Sequence, residues 1–288
     1  MPTNDTGRFY RSHDGLKLYY RDFAPEKSAV PVLCLPGLTR NSRDFEDLAR
    51  RLSQSRRVLT PDLRGRGYSE HDPDWRNYQP GTYATDIWTL LDGLAIPQVI
   101  VVGTSLGGLI AMVMAVQDAK RLRGVVMNDV GPEIAPEGLA RIQAYTGRLP
   151  PVASWDEAIA QTKEVYGVTL PGLTEDEWRR MARRVYREDA DGVPRLDIDP
   201  AIGRAVRESG PQTGDAWQAF DALHDTPLLV IRGAMSDILA EETVVRMQER
   251  KPDLIAVTVP DRGHVPLLNE PESISAIDKF IGVCNSYA

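Results

Sequence analysis

Apolar residues in this chain come in short continuous runs, separated by segments where they recur every three or four positions. The first two runs, Phe9–Ser12 and Leu16–Asp22, flank Asp14-Gly15, a pair that closes hairpins. Val30-Pro31-Val32-Leu33-Cys34-Leu35 is almost unbroken, as expected of a strand covered on both faces. The period then changes. Over Ser42–Ser53, Phe45, Leu48, Ala49 and Leu52 share one helical face. The alternation continues with strand Arg57–Thr60, loop Pro61–Ser69 and a helix over Thr82–Leu94 that puts Ile87, Leu90, Leu91 and Leu94 on one side. Strand Val99–Val102, helix Leu109–Ala115 and strand Gly124–Asn128 follow, and after an interruption come strand Pro227–Arg232, helix Glu241–Arg250, strand Leu254–Val259 and helix Pro271–Ile281. Strands alternating with helices predict an α/β fold: a mostly parallel sheet of eight strands, hairpin included, with helices on both faces.

The interruption, residues 131–216, has helical start signals and no alternation. Ser154-Trp155-Asp156-Glu157 and Thr174-Glu175-Asp176-Glu177 have capping-box spacing, and Asp199-Pro200 sets a capping acid before a first-turn proline. Trp155, Ile159, Thr162 and Tyr166 share one face; Trp178, Met181, Ala182 and Val185 share another. Helices inserted between two strands of a sheet read as a lid. The expected organisation is therefore a core of 1–130 and 217–288 with a helical cap at 131–216.

A length of 288 residues suits one such domain with its insertion. The net charge of −7 counts against nucleic acid as a partner, because phosphate neutralisation needs clustered Lys and Arg. No apolar run reaches the length of a membrane span, and Met1–Gly7 lacks the basic start and apolar core of a signal peptide, so a cytoplasmic protein without a membrane partner is expected. Of the two cysteines, Cys34 lies in an apolar strand and Cys284 near the C-terminus; no Cys/His spacing predicts a metal site, and no cofactor is expected. The expected partner is a small-molecule substrate, with a homo-oligomer left open.

The chemistry concentrates at Gly103-Thr104-Ser105-Leu106-Gly107-Gly108, between the Val99 strand and the helix after it. A serine there sits on a sharp strand-to-helix bend, beside the free N–H groups of the helix N-terminus. A serine hydroxyl needs a base, usually histidine, and an acid to hold that base. The chain has four histidines, His13, His71, His224 and His264. Sites in open α/β sheets lie at the carboxyl ends of the strands. His264, directly after the last strand, is at such an end and His224 at the opposite one. For the acid, Asp237 follows the Pro227–Arg232 strand by a short loop and Asp129 follows the Gly124–Asn128 strand directly; Asp261 is too near His264 in the same loop. Asp237 is preferred, with Asp129 the alternative.

In this order, Gly-Thr-Ser-Leu-Gly-Gly, the Ser236-Asp237 loop and the Gly263-His264 loop resemble the α/β-hydrolase superfamily. Pro36-Gly37 and Asp62-Leu63-Arg64-Gly65-Arg66-Gly67-Tyr68-Ser69 extend the likeness over nearly the whole chain. It looks most like small bacterial esterases, enol-lactonases and meta-cleavage-product hydrolases. Val265 stands where the last of these often carry tryptophan. The resemblance implies an oxyanion hole at the backbone N–H groups of Leu38 and Leu106, and makes 131–216 the variable helical cap. The implied activity is hydrolysis of a carboxylic ester or lactone through an acyl-enzyme. The rivals are hydrolysis of a carbon–carbon bond in a vinylogous diketone by the same residues, and a non-catalytic ligand-binding protein. Tyr145, Trp155, Tyr166, Trp178 and Tyr186 are the aromatic candidates for the pocket, and Arg179–Arg184 reads as a solvated helix face or an attractor of anions.

Overall fold

The computed structural model describes residues 5–208 and 215–286; Met1–Asn4 of the N-terminal reading and 209–214 of the inserted segment lie outside it. The opening hairpin is β1 (Asp5–Arg11) and β2 (Lys17–Phe23). The alternating region gives β3 (Val32–Leu35), α1 (Glu46–Leu52), β4 (Val58–Pro61), α2 (Pro80–Gly93), β5 (Val99–Thr104), α3 (Leu106–Asp118) and β6 (Leu122–Asn128). The insertion holds α4 (Pro136–Tyr145), α5 (Trp155–Tyr166), α6 (Glu175–Val185), β7 (Tyr186–Glu188), β8 (Pro194–Leu196) and α7 (Ala201–Glu208). The chain returns through α8 (Ala216–Asp221), β9 (Leu228–Gly233), α9 (Glu241–Arg250), β10 (Ile255–Val259) and α10 (Pro271–Ser286).

Eight strands form one sheet in the order β1-β2-β4-β3-β5-β6-β9-β10. From β4 to β10 every pairing is parallel; β2 joins β4 and β1 antiparallel. Side chains alternate across the sheet with the period of two that an extended strand imposes. Leu33, Val101, Val125 and Val230 face α2, α3 and α8, whereas Val32, Ile100, Val102, Val126 and Ile231 face α1 and α10. All nine are fully buried, each contributing about 1.5–3 kcal/mol of transfer free energy. This two-sided burial is why the strands read as continuous apolar runs. Although near the C-terminus, Cys284 is buried: α10 carries it into the second of these layers, and burial pushes its pKa up to about 11.

Two features of the insertion differ from the sequence reading. The turn Asp189–Gly192 closes a small antiparallel hairpin, β7–β8, in a stretch read as helical. Only Thr174 forms a reciprocal capping box. The Ser154 hydroxyl accepts the Glu157 N–H, but the Glu157 carboxylate reaches the Ala153 N–H, one residue too far back.

Candidate active site

Between β5 and α3 the backbone turns at Ser105 with φ +50° and ψ −114°, a region that side-chain-bearing residues rarely occupy. Close packing of backbone on backbone holds it there. A Cβ on Gly107 would lie 2.2 Å from the Leu35 carbonyl oxygen, and one on Gly103 would lie 2.4 Å from the Gly107 carbonyl. Only glycine at both positions lets α3 start this close to β3 and β5. Gly107→Ala is expected to destabilise the fold by about 3 kcal/mol, the upper range for overpacking, because rigid backbone faces the new methyl group. A urea melt checks this; a midpoint unchanged from wild type would show that the bend tolerates a side chain.

The bend carries Ser105 to the carboxyl ends of the parallel strands, where two further loops meet it. His264 comes from the loop after β10, and its Nε2 lies 2.9 Å from the Ser105 Oγ. Its Nδ1 lies 2.8 Å from Oδ2 of Asp129, not of Asp237. Asp129 leaves β6 with φ +57°, a conformation that aspartate tolerates better than most residues. It is fully buried. Its Oδ1 accepts the Gly233 N–H at 2.8 Å, and its Oδ2 accepts the Ser236 hydroxyl at 2.7 Å. These donors fix the carboxylate with one oxygen turned to the imidazole.

The expected pairing of Asp237 with His264 is therefore corrected. The loop after β9 delivers Ser236 to Asp129, while the neighbouring Asp237 turns to α4, where Arg141 donates to both its oxygens at 2.6 and 2.9 Å. Burial pushes the Asp237 carboxyl up, but the hydrogen bonds and charge of Arg141 outweigh it and hold the group below the ordinary carboxylate range. Because β6 and β9 are paired neighbours, either following loop can reach the imidazole, and nothing local in the sequence shows that Arg141 claims one of the two acids. The other histidines lie elsewhere: His13 is near Asp86, His71 near Asp199, and His224 offers its carbonyl to Lys251.

Leu106 is the first residue of α3, so its N–H has no acceptor within the helix. Leu38 follows Pro36-Gly37 beside the same serine: a Cβ on Gly37 would lie 3.8 Å from that of Ser105. The Leu38 loop is propped from beneath by the Asp62–Ser69 loop. Arg66, fully buried against the rings of Tyr78 and Tyr83, donates from Nε to the Leu38 carbonyl at 3.0 Å. Asp62 accepts the N–H groups of Ser42 and Tyr68 at 2.7 and 2.9 Å, tying the two loops together. Sequence reading gave Arg66 no part in the site; its place in the matching loop was the only signal.

Ser105 and His264 open on a cavity of ≈ 130 Å³ between the strand ends and the insertion. Gly37–Arg40 and Leu267 line its core side, and Ile142, Tyr145, Tyr166, Leu170 and Met181 its other side. Of the aromatic candidates, Tyr145 and Tyr166 face this space. Trp155 lies under Arg183, Trp178 packs with Leu170 and Met181, and Tyr186 donates to Gln161. The arginine run splits with helical periodicity. Arg180 and Arg184, one turn apart, reach the cavity rim, whereas Arg179 and Arg183 turn to Asp176 and Glu188. The cavity also holds Asp44, Asp47 and Glu177, with Arg40 chelated by Asp44 and Arg184 paired to Asp47, so its polar rim is electrically mixed. Among the described residues, the one cluster with metal-ligand geometry is His13, Asp14 and Asp86, and the Arg64 guanidinium already donates to both acids.

No helix among the described residues is long and apolar enough to cross a membrane. Residues 30–271 match the alpha/beta hydrolase fold family. The chain is 34% identical over 272 residues to a 3-hydroxybutyrate-oligomer hydrolase of Cupriavidus necator, covering 92% of each. It is 29% identical over 258 residues to a 2-(acetamidomethylene)succinate hydrolase of Mesorhizobium japonicum, covering 89% of this chain and 90% of that one. The crystal structure of an alpha/beta hydrolase from Novosphingobium aromaticivorans superposes with a TM-score of 0.92 at 42% identity, over 98% of this chain and 99% of the other. With its sheet order, its serine bend and these likenesses, the chain belongs to the alpha/beta hydrolase family and is a hydrolase.

Proposed function

We propose that the chain is a serine hydrolase that cleaves a carboxylic ester of a small molecule through an acyl-enzyme. The observation that carries this reading is the hydrogen-bonded relay from Ser105 to His264 at 2.9 Å and from His264 to Asp129 at 2.8 Å, opening on a cavity. His264 takes the Ser105 proton at Nε2 as Oγ attacks the carbonyl carbon, and Asp129 stabilises the imidazolium through Nδ1–H. The oxygen of the tetrahedral intermediate is held by the N–H groups of Leu106 and Leu38, each worth about 3 kcal/mol of barrier. Collapse breaks the ester bond, and the alcohol leaves with the proton from His264. Water then attacks the acyl group, giving its proton to His264, and the carboxylic acid leaves as Ser105 regains its hydrogen. The chemistry needs only these residues and water. The insertion acts as a lid, its helices α4, α5 and α6 contributing Ile142, Tyr145, Tyr166 and Met181 to the wall that limits water at the serine.

An ester is favoured over a carbon–carbon bond by the relatives. The oligomer hydrolase matches along nearly the whole chain, whereas a 2-hydroxymuconate semialdehyde hydrolase of Pseudomonas matches over 101 residues, a third of it. The test is active-site titration. A fluorophosphonate probe is expected to label the folded protein at Ser105 with one equivalent, in parallel with loss of p-nitrophenyl acetate hydrolysis. A folded protein that stays unlabelled would return the chain to the non-catalytic, ligand-binding reading.

A further inference from the structure

Behind the substrate cavity lies a second, smaller one of ≈ 20 Å³ within the insertion. Thr39, Tyr145 and Tyr166 border both spaces. Beyond them the second cavity is walled mainly by apolar side chains, among them Leu149, Val165, Val185, Leu196 and Ile198. Two rings therefore stand between the room at Ser105 and an apolar room that the hydrolytic chemistry does not use. The rings meet edge to face with centroids 6.2 Å apart. The Tyr166 hydroxyl lies 3.4 Å from Thr39 Oγ1, and the Arg40 guanidinium lies over its ring at 5.4 Å. Asp44 holds Arg40 in turn, accepting from Nε and Nη2 at 2.6 Å each. The partition is thus anchored to the loop that carries Leu38.

We propose that the second cavity is a closed-off extension of the substrate site, and that Tyr145 and Tyr166 are the partition restricting the enzyme to esters with short chains. The inference rests on the ester-hydrolase reading. A chain extending from the carbonyl held at Ser105 meets the two rings before it can reach the apolar space. Removing one ring joins the cavities and gives added methylenes an apolar wall. Each methylene that moves from water into that wall gains about 0.8 kcal/mol, so two recovered methylenes raise kcat/KM about tenfold.

The experiment compares p-nitrophenyl acetate, butanoate, hexanoate and octanoate, and in parallel the acetates of ethanol, butanol, hexanol and octanol. Wild type, Tyr166→Ala, Tyr166→Phe and Tyr145→Ala are tested after circular dichroism and a thermal melt. In wild type, kcat/KM is expected to fall beyond the butanoyl ester. In Tyr166→Ala and Tyr145→Ala the octanoate-to-butanoate ratio, or its counterpart in the alcohol series, is expected to rise about tenfold or more, while Tyr166→Phe, which keeps the ring, retains the wild-type ratio. The ratio cancels any uniform loss of activity, and the two alanine variants stand in for each other if one does not fold. Ratios unchanged in both series, or a Tyr166→Phe profile matching Tyr166→Ala, would overturn the partition even with short esters cleaved normally. Absence of cleavage of any ester by folded wild type would overturn the ester reading and the partition with it.

Discussion

Alanine at position 105 is expected to lower kcat/KM for p-nitrophenyl acetate by about 10⁶-fold while leaving the protein folded. The loss is large because no other group can take the part of the hydroxyl. It sits on a bend maintained by glycine-to-backbone contacts, with its Oγ 2.9 Å from His264 Nε2. What remains after its removal is binding in the cavity, without the hydroxyl that the proposed acyl-enzyme requires. Stability should hardly change. Alanine has the same difficulty as serine with φ +50°, so the strain is unaltered, and the His264 nitrogen left without a partner faces a cavity that water can enter. Steady-state kinetics with matched circular dichroism checks the result. Residual turnover within tenfold of wild type would mean that another group attacks the ester.

The same residues show how much of the structure is encoded in local sequence pattern. The sheet was legible because burial on both faces demands continuous apolar runs, and Val99–Val102 or Leu228–Ile231 can hardly be anything but central strands. That Ser105 and His264 meet was legible because strand order and the glycines around the serine constrain where the chain must turn. Which carboxylate stands beside His264 was not, since that depends on pairings between distant segments. Asp237 is taken by Arg141, 96 positions away in sequence, and Asp129 is held by Gly233 at the end of the neighbouring strand β9 and by Ser236 in the loop after it. Within the insertion, β7 and β8 are three residues each, too short for a period of two to stand out from helical neighbours. The role of Arg66 was hidden for a related reason. A buried arginine earns its place through a carbonyl 28 residues earlier, and no local pattern encodes that bond.

Exchange of each candidate acid for its amide separates the two aspartates. Asp129→Asn is expected to cost about 10⁴-fold in kcat, whereas Asp237→Asn should stay within about threefold of wild type. Asp129 spends one oxygen on the Gly233 N–H and the other on His264 Nδ1 and the Ser236 hydroxyl, so it is an acceptor at every contact. An asparagine must turn its NH₂ toward one of these donors. Facing His264, it drives the ring to the tautomer protonated at Nε2, which cannot accept the Ser105 proton. Facing Gly233, it sets two donors against each other in a fully buried space, a cost of about 1–3 kcal/mol in stability that a urea melt would register. Asp237 sits in a different balance. Its partner Arg141 and its own side chain are both about a quarter to a third exposed, so losing the pair costs at most about 1 kcal/mol and leaves the imidazole as it was. Kinetics of the two variants side by side decide the assignment. If Asp237→Asn proved the crippling change and Asp129→Asn the mild one, the loop after β9 would have to rearrange in the working enzyme, with Arg141 releasing its carboxylate to the histidine.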